Sequence, residues 1–402
     1  MIVDQIVHLV WVDVQVVQQG PPAEARHVDL CSGVSIAPLL FTHGHCLVYN
    51  ALILKQSPAL WKHMEVSVKS HRKKVDTVRL QNLSYGHKQS GALRAAIELE
   101  LFTCISQGAS SISEIAGGVG VSVLNAERIV VACTALGLLE KEADCYQNAP
   151  DVERFLVKGK MTYIGPWLLF NGLDFERWKD LAETMKSDDP PRVLGLYELL
   201  NEDTARVYHE ATYTVGLGAG MLFARDVDLS KRSLVLDLGG GSGAYCIAAV
   251  QKYPHLKAIV LDFEPVCKIA QEFITQWGME NRISTHPGDF TTDPLPPGAD
   301  VMIMASNLPQ YNEGILGKLL SKAHEALAPA GEFHVVGETL DDEKRGPIGP
   351  ALWGLHEALF GSEGRGHSES EVIGYLENAG FVDAQVHPFV PGSLTRITAR
   401  KP

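Results

Sequence analysis

"LVLDLGGGSGAYC", Leu234 to Cys246, is the stretch on which the fold turns. It reads as a buried strand, a glycine turn and the start of a helix. Gly239, Gly241 and Gly243 let the backbone turn tightly and approach a ligand without a side-chain clash. Asp237 stands two residues before the first of them, giving D-x-G-x-G-x-G. The next strand, "KAIVLDF", closes on Asp262, 19 residues after Gly243, and Phe263 follows it. A carboxylate there can accept both hydroxyls of a ribose. After the third strand comes "GDF", Gly288 to Phe290. Asp289 can accept from an adenine amino group and Phe290 can stack on the ring. The alternative for Asp289 is simply to cap a turn. The pattern differs from the dinucleotide G-x-G-x-x-G, and the helix start is not prepared for a pyrophosphate. The expected ligand is therefore S-adenosylmethionine. Ala305, Ser306 and Asn307, where the fourth strand ends, complete the expected cofactor site.

Working outward, "SLVLDLG", "KAIVLDF", "RISTHPGDF", "ADVMIMAS" and "EFHVVGE" are short apolar strands, mostly separated by helical segments. That alternation predicts a doubly wound, Rossmann-like α/β domain with parallel strands at its centre, over residues 231–402. Upstream, "YGHKQSGALRAAIELELFTCI" repeats apolar residues at spacings of three and four, a helical period. "SISEIAGGVGVSVLNAERIVVACTALGLLEKEADCYQNAP" predicts a short helix, a longer helix and a two-stranded wing around Ala143 and Asp144. Ser111 or Ser113 can cap the first of these helices. Residues 76–195 are thus expected to form a mostly helical, winged-helix dimerisation domain. Linking helices are expected over 196–230. Residues 1–75 read as an extension, with strand-like alternation in "IVHLVWVDVQV".

Composition narrows the function. With 402 residues, 46% of them apolar, the chain is long enough for two or three domains. A net charge of -13 argues against a general nucleic-acid binder, which needs a basic face. The helix "VLNAERIVVACTALGLL" offers Arg128 as its one cation, so the winged helix points to packing between proteins and not to DNA. "KSHRKK" (Lys69 to Lys74) is a short solvated run. The seven cysteines show no CxxC or Cys/His metal spacing, which predicts reduced thiols in a cytoplasmic protein and no metal site. His43 and His45 in "THGH" lack the carboxylates or cysteines that would make them ligands. No stretch reaches the length of clean apolar sequence that a membrane span needs.

Taken together, these motifs resemble the small-molecule O-methyltransferases of the caffeate and acetylserotonin type, over roughly residues 80 to 400. "LDLGGGSG", "VLDFEPV", "GDF" with "PLPPGAD" after it, "EALAPAGEFHVVGE" and "GRGHSESEVIGYLENAGF" carry the resemblance. It implies a homodimer through an intertwined N-terminal half and a pocket for a small methyl acceptor between the halves. Family members often carry a histidine base in an H-D-W motif. Here that register falls on Pro309, Gln310 and Tyr311, or on Leu308 after a shift of one, and neither Pro309 nor Leu308 can take a proton. The family's first supporting glutamate maps to Glu338; the second, near Gly366, is missing. Losing the base favours a sulfur, nitrogen or activated carbon acceptor, or catalysis by proximity alone; a thioether has no proton to remove. "YGHKQSGALRAA", "GLGAG", "ASNLPQY" and "GRGHS" are also similar to the methyltransferases that make dimethylsulfoniopropionate by S-methylating 4-methylthio-2-hydroxybutyrate.

On that reading the acceptor-side candidates lie in "ARVYHEATY", "ALWGLHEALF" and "YGHKQ". His356, His209 and Tyr208, with Glu338, are the catalytic candidates. His87, Arg206, Tyr213 and Trp353 are the substrate-binding candidates, with Arg206 suited to a carboxylate. The alternatives are an O-methyltransferase whose base has moved to His356 or His209, and a non-methylating pericyclase or hydroxylase. A DNA-binding regulator is disfavoured by the acidic charge and the intact glycine turn.

Overall fold

In a computed structural model the structure describes residues 75–402 apart from 173, 188 and 190–200. The strand expected in the first 75 residues, the "THGH" pair and "KSHRKK" lie outside the described residues. The chain divides into Met1–Gln81 and Asn82–Pro402, and the second unit holds every element from α2 onward.

After a short helix α1 (Val78–Ser84), the helical half runs α2 (Gly86–Glu98), α3 (Leu101–Ser106), α4 (Ile112–Val119), α5 (Val123–Ala135), a wing β1 (Leu139–Glu142) and β2 (Cys145–Asn148), then α6 (Pro150–Phe155), α7 (Gly165–Phe170), α8 (Phe175–Lys179) and α9 (Leu181–Thr184). The wing is antiparallel and turns at Ala143 and Asp144. Of the two candidate caps on α4, Ser111 is the one used. Its hydroxyl accepts from the Glu114 amide while the Glu114 carboxylate accepts from the Ser111 amide, a reciprocal capping box. Ile97, Leu101, Phe102, Ile115, Val130 and Cys133 form the core beneath these helices.

One long helix, α10 (Glu202–Asp226), leads into the second half. There follow β3 (Leu234–Leu238), α11 (Ala244–Lys252), β4 (Lys257–Asp262), α12 (Glu264–Gln276), β5 (Ile283–Pro287), β6 (Val301–Ala305), α13 (Glu313–Ala326), β7 (Glu332–Gly337), β8 (Thr339–Leu340), α14 (Ile348–His356), β9 (His367–Ser368), α15 (Glu369–Asn378), β10 (Val382–Val390) and β11 (Leu394–Arg400). A 3₁₀ turn, Leu308–Gln310, precedes α13 and another, Glu357–Phe360, continues α14.

The main sheet has the order β10-β11-β7-β6-β3-β4-β5. Five adjacent strands, β7-β6-β3-β4-β5, are parallel, as the helix-separated apolar runs predict. The antiparallel pair β10 and β11 was not expected from the sequence. Pro388 sits in β10, the edge strand, where a missing N–H costs no ladder bond. Alternation along β3 sends Val235 to one face and Leu236 and Leu238 to the other. Helices α10, α11 and α12 cover the first face and α13 and α15 the second, so the sheet is doubly wound. Phe223 on α10 is fully buried, edge-on to Tyr245 at 5.9 Å and His334 at 5.1 Å. A side chain buried to that degree contributes about 1.5–3 kcal/mol.

The glycines of "GLGAG" explain how α10 lies against α11. A Cβ on Gly220 would sit 2.9 Å from the Ala244 carbonyl oxygen, whereas one on Gly218 would meet nothing within 4 Å. Gly220→Ala should therefore force the helices apart and destabilise by about 1–3 kcal/mol. Gly218→Ala, exposed on the same helix, should stabilise by about 0.5–1 kcal/mol. Urea denaturation of the two variants checks this; equal effects would mean that the helices are not in close contact at Gly220.

Candidate active site

From β3 the chain builds the sheet outward through β4 and β5, then returns to add β6 on the other side of β3. The crevice at the carboxyl ends of β3 and β6 is thus a topological switch point, where ligands bind in such sheets. Gly239, Gly241 and Gly243 stand there with φ of +67°, +55° and +75°, a region L side chains rarely adopt. Space is as limiting as conformation. A Cβ on Gly239 would lie 2.7 Å from Asn307 Nδ2 and 2.9 Å from Phe290 Cε1, and one on Gly241 would lie 3.0 Å from the His209 ring.

Two carboxylates face this turn. Asp262, at the end of β4, accepts from the Gly241 amide at 2.9 Å through Oδ2 and from the Phe263 amide at 2.8 Å through Oδ1. Each oxygen keeps acceptor capacity for a further donor. Burial pushes its carboxyl up to about 6, with the two amide bonds pulling the other way. Asp237 is more deeply enclosed: the weak Cys246 thiol is 3.7 Å from its Oδ2, and its Oδ1 is buried with no partner. Burial, and then the charge of Asp262, hold it at about 7. A pair of buried carboxylates without a basic partner is a site prepared for a cationic, hydroxyl-rich ligand. S-adenosylmethionine, with its sulfonium, ammonium and ribose, fits those requirements.

On the adenine side, the Gly288 amide donates to the Asp262 carbonyl at 2.9 Å, which fixes the loop after β5 to the end of β4. Asp289 caps a turn, its carboxylate accepting from Thr291 N (2.8 Å), Thr291 Oγ1 (2.6 Å) and Thr292 Oγ1 (3.0 Å). Phe290 is buried, edge-on to Tyr311 with centroids 5.8 Å apart. Beyond Ala305, Ser306 holds a left-handed φ of +56° while its amide donates to the Val336 carbonyl. Asn307 reaches back to donate to the Leu238 carbonyl at 3.1 Å, leaving its own Oδ1 buried and unpartnered. The ends of β3 and β6 are thereby tied together across the switch point.

On the acceptor side, Leu308 and Pro309 are buried in the 3₁₀ turn, and a Cβ on Gly364 would collide with the Pro309 carbonyl. The place of the usual histidine is therefore closed as well as chemically inert. Glu338, just past β7, is buried at the same edge of the sheet. Burial pushes its carboxyl up to about 7, opposed by hydrogen bonds from its own backbone and the Trp353 side chain, and its Oε2 has no partner. Trp353 lies against His356, ring centroids 4.7 Å apart. His356 Nε2 is 2.8 Å from Oδ2 of Asp174, which belongs to the helical half. Trp178 donates to the same oxygen at 3.3 Å. The structure thus brings Glu338, Trp353 and His356 together and adds Asp174, which sequence reasoning missed. No local motif links Asp174 to a histidine 182 residues further on.

The other candidates fall elsewhere. His209 packs on the glycine turn, and burial lowers its pKa to about 4, so it is a poor proton acceptor. Tyr208 stands beside it, edge-on to Phe170 at 5.2 Å. The carboxylate-holding role expected of Arg206 is not what the geometry shows: its guanidinium makes two 2.7 Å bonds to Glu272 on α12. Such an i-to-distant ion pair is invisible in sequence. Tyr213 is likewise drawn into the packing of α12, stacked on Phe273 at 4.0 Å and accepting from the Trp277 indole. His87 is exposed on α2. No cluster of metal-ligating side chains occurs among the described residues.

Comparison with known proteins places the chain among methyltransferases. The O-methyltransferase domain family matches residues 196–382, and the O-methyltransferase dimerisation domain family matches residues 81–158. The chain is 32% identical over 322 residues to 3-hydroxy-5-methyl-1-naphthoate 3-O-methyltransferase of Streptomyces sahachiroi, a match spanning 78% of this chain and 92% of that protein. It is 30% identical over 312 residues to the N,N-dimethyltransferase OxyT of Streptomyces rimosus, spanning 75% and 90%. The crystal structure of human N-acetylserotonin methyltransferase in complex with SAM superposes with a TM-score of 0.69 at 27% identity, covering 82% of this chain and 99% of that one.

The electrostatics of the glycine turn predict a pH signature for cofactor binding. A cationic ligand favours ionised Asp237, so binding expels a proton below about pH 7, where that carboxyl is otherwise held neutral. Affinity for S-adenosylmethionine, measured by titration calorimetry, should weaken by up to about tenfold per pH unit below that point. Asp237→Asn should bind more weakly and keep only the slope below about 6 that Asp262 sets. The ligand-free protein shows the opposite sign. A carboxyl raised from 3.8 to about 7 stabilises the fold most below 3.8, and that contribution is lost as pH rises through about 7. Wild-type affinity that is flat from pH 6 to 8 would contradict the assignment of a cation to Asp237.

Proposed function

The chain belongs to the O-methyltransferase family and is an S-adenosylmethionine-dependent methyltransferase, and from that premise we propose that it methylates a hydroxyl group on a flat aromatic small molecule. The observation that carries this reading is the aromatic wall around His356. Trp353, Phe360 and Trp178 surround its ring at centroid distances of 4.7, 5.0 and 6.2 Å. Faces and edges of this kind suit an aromatic acceptor, each ring pair adding about 0.5–1.5 kcal/mol beyond area burial. The acceptors named for two relatives, a hydroxynaphthoate and N-acetylserotonin, are aromatic too. OxyT, an N,N-dimethyltransferase, shows that the acceptor atom varies among relatives.

The second reading is S-methylation of a thioether acid such as 4-methylthio-2-hydroxybutyrate. It is favoured by the buried Leu308 and Pro309 where a base would stand, since a thioether has no proton to lose. Against it, Arg206, the cation expected for the acid's carboxylate, is bound to Glu272. A homodimer through residues 81–158 follows from the dimerisation family. Five free thiols among the described residues suit the reducing cytoplasm, and no single described helix is long and apolar enough to cross a membrane.

The test is mass spectrometry after incubation with isotope-labelled S-adenosylmethionine and a panel containing a hydroxynaphthoate, N-acetylserotonin, an arylamine and 4-methylthio-2-hydroxybutyrate. The label should appear on a phenolic or naphtholic oxygen. Label on the thioether alone would overturn the hydroxyl reading in favour of the second.

A further inference from the structure

We propose that His356 is the proton acceptor of this enzyme, held by Asp174, in place of the histidine that the 3₁₀ turn lacks; this rests on the hydroxyl-acceptor reading above. The tautomer follows from elementary chemistry. An ionised carboxylate only accepts, so the 2.8 Å contact between His356 Nε2 and Asp174 Oδ2 requires the proton on Nε2. Nδ1 then carries the lone pair, and Nδ1 is buried with no partner in the protein. A buried basic nitrogen without a partner is costly unless a ligand supplies one. The pair bridges the two halves of the chain, Asp174 just before α8 and His356 at the end of α14. Through Trp353 it adjoins Glu338, at the carboxyl edge of the sheet where the switch-point crevice lies. His209 is the poorer acceptor: burial lowers its pKa to about 4, and its ring is packed against the glycine turn at Gly241.

In the transfer, the acceptor oxygen forms its bond to the methyl carbon as the carbon–sulfur bond breaks and its electron pair stays on sulfur, leaving S-adenosylhomocysteine. The hydroxyl proton passes to His356 Nδ1. The Asp174 carboxylate stabilises the imidazolium through Nε2–H, as the carboxylate does in other acid–histidine pairs. Asp174 is therefore a positioning residue. The other charged or titratable groups around the ring are Glu357, next in sequence and buried; Glu338, behind Trp353; and Arg177, stacked over Phe360 at 4.9 Å.

The test combines kinetics and spectroscopy on the full-length protein. With a hydroxynaphthoate as acceptor, His356→Gln should lower kcat by about 100-fold or more with little change in KM. It should also abolish the limb of the kcat/KM pH profile that rises as the base loses its proton. Asp174→Asn should lower kcat in the same direction. Independently of turnover, ¹⁵N NMR of histidine-labelled protein should show His356 as the Nε2–H tautomer in the wild type and lose that preference in Asp174→Asn. Calorimetric binding of S-adenosylmethionine by each variant shows that it is folded. If the wild type methylates the acceptor and His356→Gln keeps its rate and pH profile, or the ring is found as the Nδ1–H tautomer, the dyad is wrong while the methylation reading stands. If the wild type binds S-adenosylmethionine yet methylates no hydroxyl in the panel, the hydroxyl reading fails and the dyad with it.

Discussion

Two carboxylates buried beside each other, Asp237 and Asp262, are the constraint around which the catalytic half is arranged. Each stands at the end of a parallel strand, and neither makes an ion pair among the described residues. Left alone, such groups oppose folding through desolvation and mutual repulsion. The fold tolerates them because two backbone amides hold Asp262 and because the apolar packing on both sheet faces is extensive. The same features that cost stability suit a cation bearing a ribose. The glycines serve this arrangement: only residues without a Cβ leave room for Asn307, Phe290 and His209 to crowd the turn.

The acceptor side solves a different problem. Methyl transfer from a sulfonium to a hydroxyl needs proximity above all, with proton removal adding a further factor. The 3₁₀ turn Leu308–Gln310 is buried where the resemblance would put a histidine, and the loop at Gly364 packs on it. Glu338, deprived of a histidine partner, lies beside the Trp353 indole instead. His356 and Asp174 stand one layer further along, joined through the same indole. Because Asp174 comes from the helical half, the His356–Asp174 pair ties the two halves of the chain together.

What was legible in the sequence was local. The strand, glycine turn, helix and following acid are contiguous or nearly so, and their order pointed to S-adenosylmethionine as the cofactor. The wing and a serine cap on α4, at Ser111 or Ser113, were readable for the same reason. What was not legible depends on contacts between distant segments. Arg206 looked like a free cation in "ARVYHEATY", but Glu272 neutralises it across two helices. Tyr213 looked available and is stacked on Phe273. His356 was one of several lone histidines until Asp174 appeared 2.8 Å away. The hairpin β10–β11 escaped because Pro388 breaks the strand pattern, and edge position is a property of the sheet and not of the segment.

The relocation of the base is tested most directly by a crystal structure of the protein with S-adenosylhomocysteine and a methyl acceptor identified by its labelled product. The acceptor oxygen is predicted to lie within hydrogen-bond reach of His356 Nδ1, about 3 Å, with the Asp262 carboxylate on the ribose hydroxyls. An acceptor oxygen seated against Pro309 or His209, with His356 Nδ1 out of reach, would contradict it.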